Sequence, residues 1–61
     1  HVPILIKLLR DPDEAVRLAA AESLGRVKSQ DVMRALQIAM KDSSEWVRVA
    51  ALEGVAAQSQ V

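Results

Sequence analysis

The chain repeats itself. The segment DPDEAVRLAAAE, residues 11–22, returns as DSSEWVRVAALE, residues 42–53, after a shift of 31 residues. At that shift Asp11/Asp42, Glu14/Glu45, Val16/Val47, Arg17/Arg48, Ala19/Ala50, Ala20/Ala51 and Glu22/Glu53 are identical, Leu5 pairs with Leu36, and Leu24 with the similar Val55. Polar and apolar positions match together, which a shared helical composition does not by itself produce. Two like segments must fold alike, and in repeat architectures each unit buries its apolar face on its neighbour. This constrains the fold more than any compositional property of the chain.

Within each copy the apolar spacing is helical. Ile4, Leu5, Leu8 and Leu9 form one stripe, which predicts a helix over about residues 3–10 with Pro3 in its first turn. Val16, Ala19, Ala20, Ser23, Leu24 and Val27 form a second stripe, on a helix over about residues 12–27. Ala35, Leu36, Ala39 and Met40 repeat the first stripe on a helix starting near Ser29 to Asp31. Val47, Ala50, Ala51 and Val55 repeat the second on a helix ending near Ala57. No period-two run or hairpin dipeptide marks a strand. Short links at Asp11–Pro12, Lys28–Ser29–Gln30 and Asp42–Ser43 make consecutive helices antiparallel neighbours. The predicted fold is all-α: a solenoid fragment of two stacked helical hairpins in one domain over residues 1–61. Its first unit covers about residues 1–29 and its second about 30–61.

DPDE invites a chemical reading, because three carboxylates fall within four residues. With Asp11 as N-cap, Pro12 is the first helical residue and Asp11 and Glu14 have the spacing of a capping box. The second copy keeps both capping carboxylates, Asp42 and Glu45, and puts serines at the two positions between. A metal site would not surrender Asp13 so freely, and the stretch lacks the spaced oxygens and glycine of a calcium loop. Arg17 and Arg48 follow a core valine and precede a core alanine, so each sits at the edge of the buried stripe. From there a guanidinium can fork onto a carboxylate or onto loop carbonyls.

DPDEAVRLAAAESLG resembles the short HEAT-like repeat of the phycobilisome-lyase type. DSSEWVRVAALEGVA matches its first part and departs where Leu-Gly becomes Val55-Ala56; it also carries Gly54 inside the helix. The resemblance covers almost the whole chain. It implies an inter-repeat polar ladder built from Asp11, Arg17, Asp42 and Arg48. It also implies a concave face lined by the second helix of each unit. That family pattern marks a fold and no single activity. Two repeats are fewer than the three such folds usually need, so missing neighbouring repeats or self-association are expected, as for a piece of a longer solenoid.

Composition excludes several function classes. The chain has no cysteine, and His1 at its extreme end is the sole histidine, so neither a zinc site nor a nucleophile–base pair can be assembled. Ser23, Ser29, Ser43, Ser44 and Ser59 have no base to activate them. Catalysis, a cofactor and a metal are therefore not expected. Eight basic and eight acidic residues give a net charge of zero. Lys7, Arg10, Arg26, Lys28, Arg34 and Lys41 are scattered among acids, whereas nucleic-acid binding calls for a basic stripe. No stretch approaches a membrane span, and a cytoplasmic location is expected.

What remains is surface. Leu18, Ala21 and Gly25 correspond to Val49, Leu52 and Ala56, lie off the main stripe and are apolar or small in both copies. Packing between adjacent second helices explains them; a binding groove is the sharper alternative. Trp46 stands where the first copy has Ala15 and serves either as packing or as a binding anchor. The candidate partner-binding face is Leu18, Glu22, Trp46, Val49, Leu52 and Glu53. The expected role is a non-catalytic protein-interaction scaffold, with a chromophore-lyase fragment and a nucleic-acid-binding module as alternatives.

Overall fold

A computed structural model describes residues 1–59. Among these there are four helices and no strand: α1 (Val2–Leu8), α2 (Glu14–Leu24), α3 (Gln30–Ala39) and α4 (Glu45–Gln58). α1 and α2 form the first hairpin, α3 and α4 the second. The hairpins stack mainly through α2 against α4, with α1 and α3 touching more lightly. The core is Ala20, Ala21 and Leu24 of α2, Val32, Leu36 and Ala39 of α3, and Val47, Ala50 and Ala51 of α4. α1 contributes no fully buried residue; Leu5, Ile6 and Leu9 pack on the core from its edge. With no Phe or Tyr and five alanines among the buried residues, the helices must approach closely to fill this core.

Both second helices begin two residues later than a capping box at Asp11 or Asp42 requires. Pro12 lies outside α2. The Asp11 carboxylate accepts the Asp13 N–H at 2.8 Å, and Asp13, in an extended conformation, is the N-cap, accepting the Ala15 N–H at 2.8 Å. In the second hairpin Asp42 accepts the Ser44 N–H at 2.8 Å, and Ser44 caps α4 through Val47 N–H. Asp11 and Asp42 therefore shape the turn before the helix. The physical reason is local: an aspartate readily hydrogen-bonds the backbone two residues on, and Pro12 disfavours helical dihedrals at Asp11. Ser29 caps α3, accepting the Val32 N–H at 3.1 Å, as the start near Ser29 predicted.

The periodic stripe of α2 also needs correction. Ala19 and Ser23 are exposed while Ala21 is buried, whereas in α4 the counterpart of Ala19, Ala50, is buried and that of Ala21, Leu52, is 51% exposed. The two helices have the same pattern and different neighbours. α2 is covered by α4 on the Ala21 side. α4 is covered by α2 on the Ala50 side, and its Leu52 side meets no further helix among the described residues. Stacking direction alone produces this exchange.

Gly54 belongs to the buried set. A Cβ built there would lie 2.8 Å from Leu36 Cδ1 and 3.1 Å from Gly25 Cα. α2 and α4 thus meet at Gly25 and Gly54. The helix-propensity cost of an interior glycine, about 1 kcal/mol relative to alanine, is offset by the close crossing it permits.

Candidate functional site

Most of the polar contacts between the two hairpins lie at one end of the stack. Arg17 donates from Nε to Asp42 Oδ1 at 3.0 Å and from Nη2 to Oδ2 at 3.3 Å. Its Nη1 donates to the carbonyls of Asp11 at 2.8 Å and Pro12 at 3.1 Å. One guanidinium therefore ties its own loop to the loop of the next hairpin, with both charged side chains largely buried. Beside it Ser44 Oγ donates to Glu14 Oε2. Glu14 does not reach back to Asp11, as a capping box would need, because Ser44 of the other hairpin holds it. At the far end of α4, Gln58 Nε2 donates to the Val27 carbonyl at 2.6 Å. Arg48 repeats half of this arrangement, holding the carbonyls of Asp42 at 2.8 Å and Ser43 at 3.2 Å. Its Nε and Nη2 meet no carboxylate among the described residues.

The six residues of the expected partner-binding face do not form one surface. Glu22 and Glu53 line a shallow groove of about 330 Å³ between α2 and α4, floored by Ala21, Gly25, Ala50 and Gly54. Arg26, grouped in the sequence with scattered surface charge, lines the same groove. Val49 and Leu52 line a separate hollow of about 250 Å³ on the outer side of α4, with Met40, Glu45 and Arg48. Leu18 is half-buried and packs against the core. Trp46 is 69% exposed in the first turn of α4 and lines neither hollow. Four contributors were missed in the sequence: Asp13 as a cap, Ser44 and Gln58 as junction donors, and Gly54 as the crossing point. Only Gly54 left a signal, as an interior helical glycine.

A family model described as HEAT repeats matches residues 1–59. The chain belongs to the HEAT-repeat family. No curated protein and no solved structure matches it. The match carries the repeat architecture and does not extend to the lyase-type subtype. HEAT repeats in general are modules of protein interaction, which fits a unit whose distinctive features are an inter-helix groove and an apolar end face. Among the described residues no three metal-ligating side chains cluster, and no helix is long and apolar enough to cross a membrane.

Proposed function

We propose that this HEAT unit is a non-catalytic scaffold segment that holds a cationic helical or extended protein segment in the groove between α2 and α4. The observation that carries this is the pairing of Glu22 and Glu53. They occupy equivalent positions one repeat apart, and both flank a floor of alanine and glycine. The small floor allows a partner backbone to come close. Two carboxylates against the single Arg26 leave the rim net negative, which favours a lysine or arginine and disfavours a phosphate backbone. A repeat scaffold offers such a surface with little ordering cost on binding.

The test is an NMR titration of the chain with an alanine–lysine helical peptide. Amide shifts are expected at Glu22, Gly25, Glu53 and Gly54. They should weaken by about tenfold in apparent affinity in a Glu22→Gln/Glu53→Gln variant, as loss of two rim charges implies. Shifts confined to α1 and α3, or insensitivity to the double substitution, would reject the groove.

A further inference from the structure

Lysine and arginine are scattered along the chain, but folding collects four of them. Lys7 and Arg10 lie at the end of α1, and Arg34 and Lys41 lie on α3 and just beyond it; all four are exposed. Shifted by 31 residues, Lys7 becomes Ile38 and Arg10 becomes Lys41, so these side chains stand at matching levels on neighbouring helices. α1 and α3 form one layer of the stack and α2 and α4 the other, and α1 and α4 do not touch. The α1–α3 layer carries the four cations against a single acid, Asp31. The α2–α4 layer carries Glu14, Glu22, Glu45 and Glu53 against Arg17 and Arg48. A chain of zero net charge thus has one basic side.

Ile38 stands among these cations and is 65% exposed. With Arg34, Gln37 and Lys41 it borders one open hollow. With Arg10, Ile6 and Leu9 it borders a second, of about 60 Å³, in the cleft between the helices. None of the four cations forms an ion pair among the described residues. Asp31 lies seven residues before Ile38, about 10 Å back along α3. The dipole of α1 favours a cation at its C-terminal end, which accounts for Lys7 and Arg10. It does not account for Arg34 in the middle of α3, nor for an isoleucine left open to solvent between charges.

We infer that the outer face of α1 and α3 docks on an anionic phospholipid surface, with Lys7, Arg10, Arg34 and Lys41 against the headgroups and Ile38 entering between them. The cations are spread over two helices and do not converge on a point, so they match a plane of charge better than a single ligand. Each basic group near such a surface strengthens binding about fivefold. One aliphatic side chain leaving water adds about tenfold. A nucleic acid draws nothing from an aliphatic centre, and this face has no aromatic ring on which a base could stack, since Trp46 lies on α4. An acidic protein helix needs a seat for its apolar stripe, and the hollow beside Ile38 is too small to provide one. The acidic layer is turned away from the lipid in this orientation. The groove between α2 and α4 has no residue of α1 or α3 in its lining, so this inference does not depend on it.

The experiment is co-sedimentation of the chain with vesicles of phosphatidylserine and phosphatidylcholine, and with phosphatidylcholine alone. The native chain should bind the anionic vesicles only, and release as salt is raised. Arg10→Gln/Arg34→Gln/Lys41→Gln changes exposed, unpaired side chains, so it should stay helical by circular dichroism and bind about a hundredfold more weakly. Ile38→Ser keeps every charge and should weaken binding about tenfold. Trp46 reports orientation, because it shares its side of α4 with Glu53, two turns on, which lines the groove of the acidic layer. Its emission should not move to the blue on binding. No binding to the anionic vesicles, equal binding by either variant, or a blue shift of Trp46 would overturn the inference. So would tighter binding of duplex DNA or polyglutamate than of the vesicles, which would assign the face to a nucleic acid or to an acidic protein.

Discussion

Gly54 and Gly25 meet where α4 crosses α2, and a Cβ on Gly54 would come within 3.1 Å of the Gly25 Cα and 2.8 Å of the fully buried Leu36 side chain. Gly54→Ala therefore sets two effects against each other. Helix propensity gains about 1 kcal/mol, and overpacking costs about 1–3 kcal/mol because Leu36 has nowhere to go. The net expectation is destabilisation by about 1 kcal/mol in urea unfolding. Gly25→Ala, whose Cβ would lie 3.3 Å from the Gly54 Cα, is less crowded and should destabilise less than Gly54→Ala. Leu36→Val should cost less in the Gly54→Ala background than in the native one, since it removes the clashing methyl. Additive effects of these two changes would contradict direct contact.

Arg17 and Asp42 make two hydrogen bonds across the hairpin junction, and both side chains are largely buried. Arg17→Ala removes the fork and leaves Asp42 with the Ser44 N–H alone, so a loss of about 2 kcal/mol is expected. Arg17→Lys keeps the charge but not the planar fork, and should recover only part of it. A double-mutant cycle with Asp42→Asn measures the coupling. A coupling energy near zero would reduce the pair to surface decoration.

The helix starts distinguish Asp13 from Asp11. Asp13→Ala removes the N-cap acceptor of α2 and should cost about 1 kcal/mol. Asp11→Ala removes a turn contact to an exposed N–H, and should cost about 0.5 kcal/mol. Denaturant midpoints give both values; a larger cost at Asp11 would restore it as the cap.

Leu52 and Ala21 are equivalent by repeat and opposite in burial. Leu52→Asp places a charge on an open face and should change stability by less than about 0.5 kcal/mol. Ala21→Asp buries an unpaired charge against α4, and should unfold the chain. Unfolding by Leu52→Asp would mean that another copy covers this face in solution.

Hydrogen exchange should find the least protection in α1. It is two turns long, lacks a side-chain N-cap bond and contributes none of the fully buried residues. Its amides are expected to exchange through local opening, ahead of those in α2, α3 and α4. Equal protection in all four helices would show that the unit opens only as a whole.

Much of this was legible because a repeat states the same local rule twice. The shift that pairs Val16 with Val47 and Arg17 with Arg48 identified the hairpins without reference to any partner. It also moved DPDE from chemistry to helix initiation, although the cap itself is Asp13. That misplacement is local in origin: Asp11 and Asp13 can both serve, and only the backbone around Pro12 decides between them. The exposed Ala19 and buried Ala21 were not legible, because periodicity reports which residues share a face and not which faces have neighbours. For the same reason the expected partner-binding residues are divided, Glu22 and Glu53 lining the α2–α4 groove and Val49 and Leu52 the outer side of α4.

The sequence by itself determined the helices, their order and the two-fold repetition, since these follow from residue spacing within a few turns. Tertiary structure alone decided which equivalent positions differ: Ala50 covered and Ala19 open, Arg17 forked onto Asp42 and Arg48 without a carboxylate, Gly54 against Gly25. The physical reason is that helix formation is local, whereas burial and ion pairing belong to contacts between hairpins. A stack has two unlike ends however alike its units are.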